Sequence, residues 1–259
     1  MIPGHSSISR VPRVGASGGG GRLWTPADIP ELTGWWDADS GITLNGANVS
    51  SWANKIGAGS FANSNSGPQL SSFNGNPCLQ FDGGSQNMQL PGTAGVTPNF
   101  NAGGTLLCAA SPTKGGSPVI TVYGGQFGPW INTFNYPAIM FADKTMSISN
   151  DTWTGNGHRS MSAELGVSAS LIIRGTQRKV PYMDRSPYSF GTDTSNSSTF
   201  LGYDQNGRYF GGVITAVAMA PVLLGGIDID RWEGYYAHKT KSTDYLPASH
   251  PYKLAPPRV

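Results

Sequence analysis

The stretch Gly212-Val213-Ile214-Thr215-Ala216-Val217-Ala218-Met219-Ala220 carries apolar residues on both of its alternating faces. With a period of two, one face holds Val213, Val217 and Met219, and the other holds Ile214 with Ala216, Ala218 and Ala220. A strand that meets water on one side alternates apolar with polar residues. One without a polar face must be covered on both sides. This stretch is therefore expected to be a central strand, with its small residues on the more crowded side.

Shorter runs of the same kind lie upstream: Leu32 to Trp36, Cys78 to Phe81, Met88 to Leu90, Thr105 to Ala110, Val119 to Tyr123, Ala138 to Phe141 and Ser170 to Arg174. Turn-forming clusters separate them, among them Asn74-Gly75-Asn76-Pro77, Asp82-Gly83-Gly84 and Asn206-Gly207. Many short strands with regular turns indicate a sandwich or barrel. Composition agrees. Glycine supplies 36 of 259 residues, and 12% of residues are charged, against about 25% in average proteins. Glycine and β-branched residues make poor helices. The 38% of hydrophobic residues suffices for one core, so a single domain is expected. The fold class is all-β, a two-sheet antiparallel jelly-roll sandwich.

Both ends depart from this rhythm. Residues 1–22 read as a flexible arm with Arg10, Arg13 and Arg22, and Gly18 to Gly21 near its end. Such a segment cannot pack alone but can order on a partner. The compact domain then spans 23–259. One short helix is expected over about 228–240, because Ile229, Trp232, Tyr236 and Lys239 recur at helical spacing. Asp228 or Asp230 is the expected cap, and Asp230 with Glu233 resembles a capping box. The Pro-rich tail 241–259 is expected to lie extended over the domain.

Four segments resemble a known family. They are Pro30-Glu31-Leu32-Thr33-Gly34-Trp35-Trp36-Asp37-Ala38; Val49-Ser50-Ser51-Trp52 with the block Phe73 to Gly83; Phe200-Leu201-Gly202-Tyr203 with Arg208 to Ile214; and Arg231 to Lys239 with Leu246-Pro247-Ala248-Ser249-His250-Pro251-Tyr252. Together they resemble the concanavalin A-like, laminin-G-like domains of bacteriophage virion proteins. The pairing of a Glu-Gly-Tyr helix with a His-Pro-Tyr tail is the most specific of these signals. The resemblance implies two packed antiparallel sheets and a structural role in a virion, as a capsid decoration or a tail or fibre component. Its expected partners are other virion proteins, held through the arm, with assembly as a homo-oligomer. A lectin-like role on host-surface glycans is the alternative, because this fold hosts lectins, hydrolases and inert modules alike.

Chemistry is sparse in the sequence. A net charge of +2 without a Lys/Arg block argues against nucleic-acid binding. No run reaches the ~18 apolar residues of a membrane span, and the start lacks the apolar core of a secretory signal. The expected setting is a virion whose parts are made in a cytoplasm. Glycoside hydrolysis generally needs two carboxylates about 5–10 Å apart. Glu31, Glu164 and Glu233 have no acidic residue two or four positions on, so no catalytic residue is expected. His5, His158, His238 and His250 lack metal-ligand spacing. Asp37, Asp39 and Asp82 could bind calcium through oxygen ligands, or merely cap and turn the chain. Cys78 and Cys108 read as buried thiols, with a disulfide left open. Trp130, Tyr136, Trp153, Tyr182 and Tyr188 lie in loop-like stretches and are candidate sugar-stacking rings, with core packing the alternative role.

Overall fold

A computed structural model describes residues 21–63, 66–91, 104–113, 117–121, 127–131, 137–141, 144–147, 159–165, 170–175, 183–184, 199–203, 207–222, 224–246 and 248–259. The first strands are β1 (Gly34–Asp37), β2 (Ile42–Asn45), β3 (Asn48–Ala53), β4 (Ser60–Ala62), β5 (Gln69–Phe73), β6 (Asn76–Asp82), β7 (Met88–Leu90), β8 (Gly104–Pro112) and β9 (Ser117–Pro118). They are followed by β10 (Ile120–Thr121), β11 (Phe127–Ile131), β12 (Pro137–Phe141), β13 (Lys144–Ser147), β14 (Arg159–Leu165), β15 (Ser170–Gly175), β16 (Met183–Asp184), β17 (Thr199–Leu201) and β18 (Gly211–Ala220). The helix α1 spans Gly226–Lys239. The named strands pair antiparallel throughout. No helix among the described residues is long and apolar enough to cross a membrane.

The central strand is β18. One edge runs along β8, from Gly212 opposite Pro112 to Ala220 opposite Thr105. The other edge is shared: β6 takes Gly211 to Ile214, and β1 takes Ala216 to Met219. Beyond β8 the sheet continues through β14, β15 and β16. A second layer runs β2–β3–β4–β7–β17–β10, and β5 bridges β3 and β6. Strands β9, β11, β12 and β13 form a separate small sheet.

Strict alternation would put Ile214 with the alanines, and the structure corrects that. The register slips between Ile214 and Ala216, so Thr215 is an extra, bulged residue. A bulge shifts side-chain phase by one position. Ile214 therefore joins Val217 and Met219 in the core between the two layers, with Trp36, Trp52, Phe61, Leu79 and Leu201. Ala216, Ala218 and Ala220 face the other way, toward Trp24, Trp35, Ile229, Trp232 and Tyr236. The neighbours Trp35 and Trp36 thus enter opposite cores. The small alanine side chains let the helix approach the sheet closely.

Helix α1 docks by Ile229, Trp232 and Tyr236, as its spacing predicts. Its start differs from expectation. Gly225 occupies the N-cap without a side-chain bond, and Asp228 and Asp230 lie inside the helix. The chain leaves β18 close to the sheet, and Leu224 N–H is met by Thr105 Oγ1 at 3.1 Å, so helical bonding begins before either aspartate. The tail is also not simply extended. It makes a 3-10 turn at Thr243–Tyr245, and Lys253 Nζ donates to the carbonyls of Thr243, Asp244 and Leu246. It ends with Arg258 bridged to Leu23, and Trp24 N–H donates to Pro257 O at 3.0 Å. Gly234 explains the helix-tail signal. A Cβ there would lie 2.4 Å from Tyr252 Cβ, so only glycine lets the tail cross the helix at this point.

Cys78 and Cys108 are both free and buried. They lie on β6 and β8, which flank β18. Two strand spacings separate those strands by about 10 Å, beyond the ~7 Å reach of a disulfide. Burial pushes the Cys78 thiol up to about 11.

The bulge leaves one polar atom buried without a partner, Thr215 Oγ1. A buried unsatisfied hydroxyl costs roughly 1–3 kcal/mol. Thr215→Val keeps the β-branched shape and removes that group, so it should stabilise the fold by about 1 kcal/mol. Urea unfolding measures this, and a lowered midpoint would contradict the assignment.

Candidate functional site

The acidic candidates Asp37 and Asp39 are taken up by the helix. Asp37 is fully buried at the end of β1. Lys239 Nζ donates to both of its oxygens at 2.7 Å, and Tyr236 Oη donates to Oδ2 at 2.7 Å. Tyr236 Oη accepts in turn from Trp35 Nε1 at 2.9 Å. Asp39 accepts from Lys239 at 3.0 Å and from Lys55 at 2.7 Å. Burial pulls the Lys239 ammonium toward neutrality, but the Asp37 and Asp39 carboxylates outweigh it and hold its pKa above 10.5. Burial pushes Asp39 up, while Lys55 and Lys239 hold it below its usual range. Burial, then the Asp37 charge, keeps the Tyr236 phenol well above 10.0.

Asp82 lies elsewhere. Its neighbour on β18 is Gly211, whereas that of Asp37 is Ala216, five residues further along the strand. The Gly84 N–H at 2.7 Å and the Ser85 N–H at 3.2 Å donate to Asp82 Oδ1, and the Gly84 bond leads in lowering its pKa. The three aspartates expected to hold calcium are therefore not brought together. The oxygens of Asp37 and Asp39 are matched by an ammonium 202 residues beyond Asp37 in sequence. Among the described residues, a different set clusters its potential ligand atoms within 4.8 Å: Asp230, Glu233 and His250. His250 Nε2 lies 3.2 Å from Glu233 Oε2, and Tyr252 N–H donates to His250 Nδ1 at 3.2 Å. That bond leaves the ring proton on Nε2, facing the carboxylate.

Of the ring candidates, Trp130 sits in strand β11, opposite Pro118 and Ala138, and not in a loop. Tyr136, Trp153, Tyr182 and Tyr188 lie outside the described residues, as do Arg10 and Arg13. Arg22 is bound at the domain edge, where its guanidinium forms a two-pronged pair with Asp28.

A different set of rings comes together on the second layer. Thr199 and Leu201 of β17 point into the core, so Phe200 faces outward and is half-buried. Phe200 meets Tyr203 at 5.4 Å between ring centroids, inclined by 70°, and Tyr203 meets Tyr209 at 5.1 Å, inclined by 42°. All three rings are half-buried. Gly202 sets the turn between them with φ +73°, and a Cβ there would strike the Phe81 ring at 2.6 Å. Phe210 N–H closes the turn on Gly202 O at 2.9 Å.

From Phe200 a row of outward residues runs straight across the strands. Phe200 pairs with Gln89, Gln89 with Ala62, Ala62 with Ser51, and Ser51 with Thr43. Their inward neighbours, Phe61, Trp52, Met88 and Leu90, fill the core. In β3 a register slip at Ser50 keeps Val49 and Trp52 both inward and Ser51 outward. This surface joins aromatic faces to hydroxyl and amide groups with no carboxylate in the row. Only β-strand rhythm hinted at it in the sequence, because alternation does not say which of Thr199 and Phe200 meets the core.

No family model and no curated protein matches this sequence. Solved structures match it in fold. Trypanosoma rangeli sialidase in complex with sialic acid superposes with a TM-score of 0.57 at 12% identity, over 83% of this chain and 34% of that one. The likeness is one of fold, a curled antiparallel β-sandwich. A second structure, Trypanosoma rangeli sialidase, gives 0.56 at 14% identity, over 77% and 32%. A Ruminococcus gnavus sialidase module, CBM40, bound to α2,3-sialyllactose gives 0.46 at 13%, over 58% and 92%. The chain spans about a third of the length of the sialidases it matches.

Removing Lys239 strands a buried carboxylate. Breaking a buried pair in this way costs about 3–5 kcal/mol, so Lys239→Met should lose about that much in urea unfolding. Because its folded pKa lies above 10.5, Lys239 contributes in full below that pH and less as the pH climbs through the raised value. The gap between wild type and Lys239→Met should stay constant from neutral pH to 10.5 and narrow above it.

Proposed function

We propose that this protein is a carbohydrate-binding module that holds its ligand on the outward face of the β2–β3–β4–β7–β17 layer, without turnover. The observation that carries this reading is the half-exposed cluster of Phe200, Tyr203 and Tyr209 beside the polar row Gln89, Ser51 and Thr43. A pyranose has an apolar C–H face and a rim of hydroxyls. Aromatic rings accept the first, and a few placed polar groups orient the second. The lectin-type fold supports the reading without naming a ligand, since one fold serves many functions. Binding without hydrolysis is supported by the row itself, which lacks the paired carboxylates that glycoside cleavage generally needs.

A glycan array with the full chain tests this. Binding is expected, with no release of reducing sugar. Phe200→Ala and Tyr209→Ala should each weaken binding by about three- to tenfold, the scale of about 0.5–1.5 kcal/mol for one ring contact. Circular dichroism should stay unchanged.

A particle-borne setting, with residues 1–22 as an anchor and copies assembled together, is a further part of the reading. It is supported by the segment resemblance alone. It predicts that the chain is found in purified bacteriophage particles and that deletion of residues 1–22 removes it from them; normal incorporation of the truncated chain would refute the anchor.

A further inference from the structure

We propose that the ligand is a single free oligosaccharide chain of about four units lying across the strands, with one end held in the aromatic cluster. The inference rests on the carbohydrate-binding reading and adds the length, direction and physical state of the ligand. Three observations carry it. First, the rings of Phe200, Tyr203 and Tyr209 are inclined to one another by 70° and 42°. They share no plane, so they do not form a flat platform for a packed glycan surface. Rings set at angles to one another offer faces and edges to one chain end rather than one flat surface. Second, the outward residues line up by register from Phe200 through Gln89, Ala62 and Ser51 to Thr43. The line crosses from β17 to β2 in four strand steps, roughly 19 Å in all. A sugar unit in an extended chain is about as long as one strand spacing, so each step presents one position to one unit. Third, the row offers amide and hydroxyl groups at Gln89, Ser51 and Thr43 and no ionised side chain. These groups suit sugar hydroxyls along the chain. The exposed Ala62 lies mid-row and leaves room for the chain to pass.

Titration calorimetry of the full chain against cello-, chito-, laminari-, manno- and xylo-oligosaccharides, each from the dimer to the hexamer, tests this. The series that binds should tighten with length up to about the tetramer and then level off, gaining about tenfold or more over its dimer. Phe200→Ala should weaken every length. Ala62→Glu, placed on an exposed position, should weaken the tetramer and longer chains while sparing the dimer. Leu254→Glu, on the distant tail, should change nothing. Affinity already level at the dimer, or an Ala62→Glu variant that binds long chains normally, would overturn the inference and leave the carbohydrate-binding reading standing. Stronger retention on crystalline cellulose or chitin than on the soluble chains would also overturn it. No binding to any series would overturn the inference, and no binding on the glycan array as well would remove the carbohydrate-binding reading with it.

Discussion

Strand β18 must serve two cores at once, and the rest of the molecule is arranged around that demand. A fully buried strand has no solvent face to set its register, so both faces must match their neighbours. The bulge at Thr215 reconciles them. It sends Ile214, Val217 and Met219 into the thick core between the layers, and three alanines toward the helix. It also marks where β6 hands the shared edge to β1. The buried Thr215 hydroxyl is the local cost of that arrangement.

The second core also takes up charge at the end of the helix. Helix α1 carries Lys239 to the end of β1, where Asp37 waits in full burial. Tyr236 and Trp35 extend the contact by hydrogen bonds, so the same helix face is fastened by packing at Ile229 and Trp232 and by charge at Lys239. The tail then crosses at Gly234, with His250 against Glu233. These acidic groups are committed to holding the helix and tail. The candidate binding face lies on the other layer, where the row is uncharged.

On that face the physics is simpler. Each strand must turn alternate residues outward, and what those residues are decides what the face can hold. Here they are hydroxyls, an amide, an alanine and one ring, completed by two tyrosines from the turn after β17. Gly202 shapes that turn because the Phe81 ring fills the space a side chain would need. The likeness to the sialidases concerns the fold, and the ligand must be argued from these side chains.

Much of the fold was legible in residues that report on local rules. The two-faced run at 212–220, the turn clusters and the aromatic spacing of the helix each follow from a backbone period and from what burial demands. The sequence by itself determined an all-β sandwich with a central covered strand and one docked helix, while the strand placement decided that the two cysteines stay unbridged. It could not reveal the Thr215 bulge, because a one-residue slip is set by the partner strands and not by the run itself. Nor could it reveal that Asp37 and Lys239 meet, since that pair depends on the helix returning across the sheet. The ring cluster of Phe200, Tyr203 and Tyr209 was hidden for the same reason. Alternation fixes that successive residues face opposite ways, but only the packing of the second layer decides which of them faces water.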